Sequence, residues 1–262
     1  MKLLVISPDY ASHVLPMTQV ALAWKASQGD VVMATGTATR SGIERVGLGW
    51  TELRLGKGSN AGVIEVADQP AGEDEHLRAF FRATREGPVA TLRYQAEARR
   101  HDLMHEPDRV LDRLRDILLA ERPDRVLVDH VAFGARLALH ALGVDPATIV
   151  LGHPTALPAP GEVYGMPAEW PLEMRPTDED LDMLRSRCVQ ATSELTAAAT
   201  QLLARRGARP SSELDLTAQP GRPTIYVYPR ALHDPARALP PHHVFVGRRV
   251  HASLRCGVRR RR

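Results

Sequence analysis

The sequence predicts an α/β protein: an open parallel sheet with helices on both of its faces. Three observations carry that prediction. Residues 1–35 read as strand, helix, strand with a short return, the signature of parallel strands joined by right-handed crossovers. The strand-loop-helix step recurs at Pro123–Val144, and a third strand and loop follow from Thr148. Glycine and proline punctuate the units where helices must start and stop.

In order, Leu3-Leu4-Val5-Ile6-Ser7 is the first strand. A turn with Asp9, Ser12 and His13 follows, then a helix from Pro16 to Lys25. Pro16 suits a first helical position, and Gly29 suits a left-handed cap before the strand Val31–Thr35. His13 is therefore expected in the loop leaving the carboxyl edge of the first strand, where open α/β sheets bind ligands. Thr39 or Ser41 caps a short helix to Val46, and Trp50–Leu55 alternates as a strand. Residues 56–74, rich in glycine, read as a surface excursion.

Helical spacing returns over 73–86 and 89–121, divided by Pro88 and Pro107. Pro123–Asp129 is a strand, and the helix after it closes at Gly143. Thr148–Leu151 leads through His153 into a proline-rich loop with Met166 and Trp170, rigid turns suited to the apolar wall of a small-molecule pocket. Residues 177–206 form a helix or helix pair with Thr177 or Asp178 as cap and Leu181, Leu184, Val189, Leu195 and Leu202 inward. Thr224–Tyr228 and His243–Gly247 are the last strands.

With 44% hydrophobic and 25% charged residues, the chain has the composition of a soluble globular protein. No apolar run reaches the roughly 18 to 20 residues of a membrane span, and Met1-Lys2 enters a strand directly, so a cytoplasmic location is expected. Cys188 and Cys256 fit no metal spacing. His101 and His105 stand four apart, but no glutamate lies between them and no third ligand is indicated, so no metal is expected. The net charge of +3 belongs to residues 248–262, which carry seven arginines and no acid; removing these seven leaves −4. No aromatic residue interleaves that run, so nucleic acid is not the expected partner.

The candidate chemistry is a pair. Asp129 ends one strand and His13 follows another. If the two strands are neighbours, a carboxylate and an imidazole converge at one edge. A carboxylate that accepts the Nδ1–H of a histidine fixes its tautomer and stabilises the imidazolium formed when Nε2 takes a proton, the arrangement a general base requires.

On these residues the sequence resembles the N-terminal, acceptor-binding half of GT-B-fold glycosyltransferases, which move a sugar from a UDP- or dTDP-sugar to natural-product hydroxyls. The matching segments are Lys2–Thr35 with His13, Val14, Pro16 and Ala21-Leu22-Ala23, then Pro123–Val144, then Tyr226–Gly247. The resemblance implies a Rossmann-like acceptor-binding domain over 1–247, with 248–262 at the position of the interdomain linker. It implies His13 as catalytic base, with Ser12 where many members have glycine, and Asp129 as the residue that orients it. Ser12, His153, Met166 and Trp170 are the expected acceptor contacts.

The family's C-terminal nucleotide-sugar domain is not in this sequence, and no G-x-G-x-x-G or Walker loop replaces it. The chain is thus expected to bind no cofactor itself, the nucleotide-diphosphate sugar being co-substrate of the full family enzyme. Little activity is expected of the chain alone, as from a truncated or frame-shifted product; the partners would be a small apolar hydroxyl-bearing acceptor and a separate donor-binding domain. The alternative is a non-catalytic α/β domain that binds a small molecule or a partner. A nicotinamide dehydrogenase is disfavoured, because Ser7–Pro16 has no glycine for phosphate approach.

Overall fold

The computed structural model describes residues 1–27, 29–58, 72–102, 104–208, 216–217 and 223–246, without the side chains of 73, 74 and 99–102. The Arg-rich run at 248–262, Cys256, Gly247, the His101 side chain and most of the excursion at 56–74 lie outside the described residues.

Seven strands make one all-parallel sheet: β1 (Leu3–Ile6), β2 (Val31–Thr35), β3 (Gly49–Glu52), β4 (Arg125–Asp129), β5 (Ala147–Val150), β6 (Thr224–Tyr226) and β7 (His243–Phe245). Their order is β3-β2-β1-β4-β5-β6-β7. Leu4 pairs with Val32 on one side and Val126 on the other, so β1 lies between β2 and β4. The chain winds outward from β1 to β3, returns to β4, and winds the other way. The boundary between β1 and β4 is therefore the topological switch point.

The pleat divides the core in two. Leu4, Ile6, Val126 and Val128 pack under α5 (Pro107–Glu121), α6 (Phe133–Ala141) and α7 (Asp178–Arg205). Leu3, Val5 and Leu127 pack on the opposite face under α1 (Ala11–Ser27) and α2 (Arg40–Arg45). Helices thus cover both faces, as a buried parallel sheet demands. Strand alternation gives Asp129 the parity of Leu127, which is the α1 side.

Three expectations require correction. The first helix does not begin at Pro16. It begins at Ala11, because the Tyr10 carbonyl accepts the N–H groups of both His13 and Val14 at 2.8 Å, and Pro16 lies inside the helix. The proline withholds only the N–H that the Ser12 carbonyl would take. The apolar stripe Val14, Met17, Ala21 with Thr18 outweighs that loss by burying the helix on the sheet. His13 accordingly sits in the first turn of α1 and not in a preceding loop.

Gly29 follows the end of α1 with a positive φ. Its φ of 130° lies in the positive range that favours glycine, and a Cβ there would also stand 2.8 Å from the Met1 carbonyl oxygen. Thr39 occupies the N-cap position of α2, but its hydroxyl makes no cap bond and donates to Asp9 Oδ1 at 2.7 Å. Along α7, a single helix capped by the Thr177 hydroxyl, Cys188 is buried while its neighbour Val189 is 46% exposed.

Two further helices, α3 (Glu73–Glu86) and α4 (Pro88–Asp102), precede α5. The Arg187–Glu97 ion pair joins α7 to α4 at 2.8 Å, and Arg206 joins the end of α7 to Asp108 and Asp112 of α5, each at 2.8 Å.

Candidate active site

At the switch point, His13 Nδ1 lies 2.7 Å from Asp129 Oδ2. The two arrive by different routes. β1 delivers the chain to the carboxyl edge of the sheet, and the first turn of α1 presents the imidazole. β4, paired directly with β1, ends in the carboxylate. Asp129 is fully buried and its Oδ1 accepts the Val131 N–H at 3.1 Å, while the His13 ring remains 24% exposed. His130 Nδ1 stands 3.2 Å from the same Oδ1.

The electrostatics follow from this burial and pairing. Burial alone would raise the Asp129 pKa, but the His13 hydrogen bond and a further pull from His130 hold it down at about 2. The carboxylate is therefore ionised. Burial lowers the His13 pKa, yet the hydrogen bond and charge of Asp129 prevail and the net displacement is upward. With Nδ1–H donated to Asp129, Nε2 is the nitrogen left to exchange a proton with a ligand.

The turn leading into the histidine's helix is held laterally. Asp9 is 9% exposed; it accepts the Thr39 hydroxyl and, at 3.1 Å, the Ala38 N–H, fastening the turn after β1 to the turn after β2. The Tyr10 ring meets His13 edge-on, with centroids 6.4 Å apart.

The remaining expected residues are dispersed. Ser12 is exposed in the same helical turn as His13. His153, beyond the end of β5, belongs to another cluster: its Nδ1 accepts the Thr155 N–H at 3.1 Å and its ring lies 4.8 Å from Tyr228 and 6.3 Å from His233. Burial and the nearby His233 and Arg237 lower its pKa. Met166 and Trp170 belong to a further apolar cluster. They pack with Val163 against Val89, Leu92 and Ala96 of α4 and Leu184 and Cys188 of α7. The long loop is thus anchored on the helical layer, a placement its aperiodic sequence does not encode. Among the described residues, no three His, Cys, Asp or Glu side chains gather as a metal site would require, and no helix is long and apolar enough to cross a membrane.

Hollows lie elsewhere among the described residues. One of about 860 Å³ opens between Trp24, Leu127 and Ile225, and one of about 1080 Å³ between Tyr94 and Glu97 of α4 and Met183 and Arg187 of α7.

No family model matches the sequence, and no curated protein matches it. Solved structures do. The calicheamicin glycosyltransferase CalG4 aligns with a TM-score of 0.55 at 13% identity, over 94% of this chain and 51% of that one. The spinosyn rhamnosyltransferase SpnG aligns at 0.52 and 17%, over 93% and 50%, and the glycosyltransferase VinC, in complex with dTDP, at 0.52 and 14%, over 91% and 52%. The chain spans about half the length of these structures. Its fold is the Rossmann-like α/β architecture of one half of a GT-B glycosyltransferase.

Proposed function

We propose that these residues form the acceptor-binding half of a glycosyltransferase that moves a hexosyl group from a nucleotide-diphosphate sugar to a hydroxyl of a small apolar natural product. The observation that supports this most is the 2.7 Å pairing of a solvent-reachable His13 with a buried, ionised Asp129 at the switch point. Acceptor and donor classes follow the neighbours, whose names give calicheamicin and spinosyn and, for VinC, dTDP.

In the proposed step, His13 Nε2 takes the proton of the acceptor hydroxyl as its oxygen attacks the anomeric carbon. The bond from that carbon to the nucleoside diphosphate breaks and the diphosphate leaves with the electron pair, inverting the centre. Asp129 balances the imidazolium that forms, so charge develops against an anion already in place. Ser12 would meet the acceptor directly. His153 would bound it one strand further along the edge, and Met166 and Trp170 would hold the loop that forms its wall. The nucleotide-sugar is a co-substrate carried by a separate donor-binding domain, and holding the two reactants in line is that domain's contribution.

The test is transfer from UDP-glucose and dTDP-glucose to phenolic and macrolide alcohols by the purified chain, alone and with a donor-binding domain supplied in trans, with acceptor binding followed by calorimetry. Expected are acceptor binding by the chain, transfer only when the donor domain is present, and a ~10²- to 10⁴-fold loss of transfer in His13→Ala with binding retained. Transfer that survives His13→Ala would remove the base assignment. Acceptor binding with no transfer under either condition would favour a non-catalytic binding domain.

A further inference from the structure

His130 is the residue at the site whose placement the pair alone does not explain. It is 7% exposed, and its backbone is held on both sides: the N–H donates to the Ile149 carbonyl and the carbonyl accepts from Arg136 Nη1, each at 3.0 Å. Arg136, itself buried, donates from the same nitrogen to the Leu216 carbonyl at 2.8 Å and lies over the Phe133 ring at 5.4 Å. So anchored, the His130 ring has its Nδ1 3.2 Å from Asp129 Oδ1, out of line for a full hydrogen bond and with no other partner among the described residues. A bare lone pair facing an ionised carboxylate oxygen at that distance would be repelled, so Nδ1 carries the proton.

We propose that His130 is a positioning residue for the His13–Asp129 pair: it occupies Asp129 Oδ1 together with the Val131 N–H, commits Oδ2 to His13, and limits how basic His13 becomes. The physical reason is sharing. A carboxylate whose one oxygen accepts the Val131 N–H and also faces the His130 Nδ1–H dipole is a weaker acceptor at the other, so the pull it exerts on the His13 proton is reduced. The groups facing His13 are Asp129 from β4 and the Tyr10 ring from its own turn. Those facing His130 are Asp129 and, through the backbone carbonyl, Arg136. The proposal rests on reading His13 and Asp129 as the working pair, but it is read on the resting protein and needs no turnover.

The experiment is an NMR titration of the His13 ring in wild type and variants. Asparagine places its side-chain N–H near the Nδ1 position of histidine, so His130→Asn should leave the His13 midpoint within about 0.3 pH unit of wild type. His130→Phe keeps the ring volume without the donor and should raise the midpoint by about half a pH unit or more. Should that variant not fold, His130→Gln, whose amide reaches the Nε2 position, must shift His13 in the same sense. In an Asp129→Asn background none of these changes should move His13. Equal midpoints in wild type and the Phe or Gln variant, or a shift that persists in the Asp129→Asn background, would overturn the proposal. Failure of glycosyl transfer would overturn the proposed function and leave this result standing.

Discussion

Replacing Asp129 with asparagine should release the histidine beside it. With the anion gone, burial, already the largest single influence on the His13 ring, acts unopposed, and its pKa should drop from above 6.5 to below that value, measurable by NMR titration. The same pair makes stability depend on pH. His13 has a raised pKa in the folded protein, so its contribution is full below its ordinary value of 6.5 and is lost as pH rises through the raised one. Asp129 is depressed to about 2, so its contribution is full above its ordinary value of 3.8 and fades as pH falls towards 2. Denaturant midpoints should therefore show the largest gap between wild type and Asp129→Asn between about pH 4 and 6.5, narrowing on either side; a constant gap would mean that the pair does not titrate as described. Transfer asks for the opposite form, because a base must be neutral to accept a proton, so the rate should climb as pH passes upward through the raised His13 pKa.

At the scale of elements, two changes separate the frame that holds the histidine from the core beneath it. A Cβ on Gly36 would stand 2.3 Å from Asp9 Oδ2, while that carboxylate is already held by Thr39 and Ala38. Gly36→Ala should cost about 1–3 kcal/mol in urea denaturation and loosen the turn before α1. Leu114, fully buried on α5, should cost about 2–5 kcal/mol when cut to alanine and leave the His13 titration unaltered. Elements of this kind were largely legible in the sequence, since apolar runs bounded by Gly and Pro mark strands such as β1, β4 and β5, and Pro107 and Thr177 mark where α5 and α7 begin. The start of α1 was not. Pro16 obeys the first-position preference so well that it conceals the five helical residues ahead of it, which only the tertiary packing of Val14 and Met17 makes worthwhile. The anchorage of Met166 and Trp170 was not legible, because an aperiodic loop has no face and that anchorage depends on α4 and α7 being adjacent.

For the whole molecule, strand order is the fact on which the site turns. Sequence spacing marked His13 and Asp129 as edge residues, but whether they meet depends on β4 lying beside β1, a non-local pairing that no local pattern carries. His130 went unseen for a related reason: beside Asp129 in the chain, it should face away by strand alternation, and it approaches the carboxylate only because the strand ends there. The same order predicts a gradient of protection. Amides of β1, buried at every position, should exchange slowest, and those of the edge strands β3 and β7 should exchange many-fold faster, as hydrogen-exchange mass spectrometry would show. The pairing of β1 with β4 has one more consequence, in time. The contact that makes His13 unusual joins residues 116 positions apart. As the chain leaves the ribosome, the histidine emerges near the start and waits, an ordinary imidazole, until the fourth strand is synthesised and closes on the first. Closure over such a distance is entropically slow, so a native-like His13 signal should be among the last marks of a completed fold.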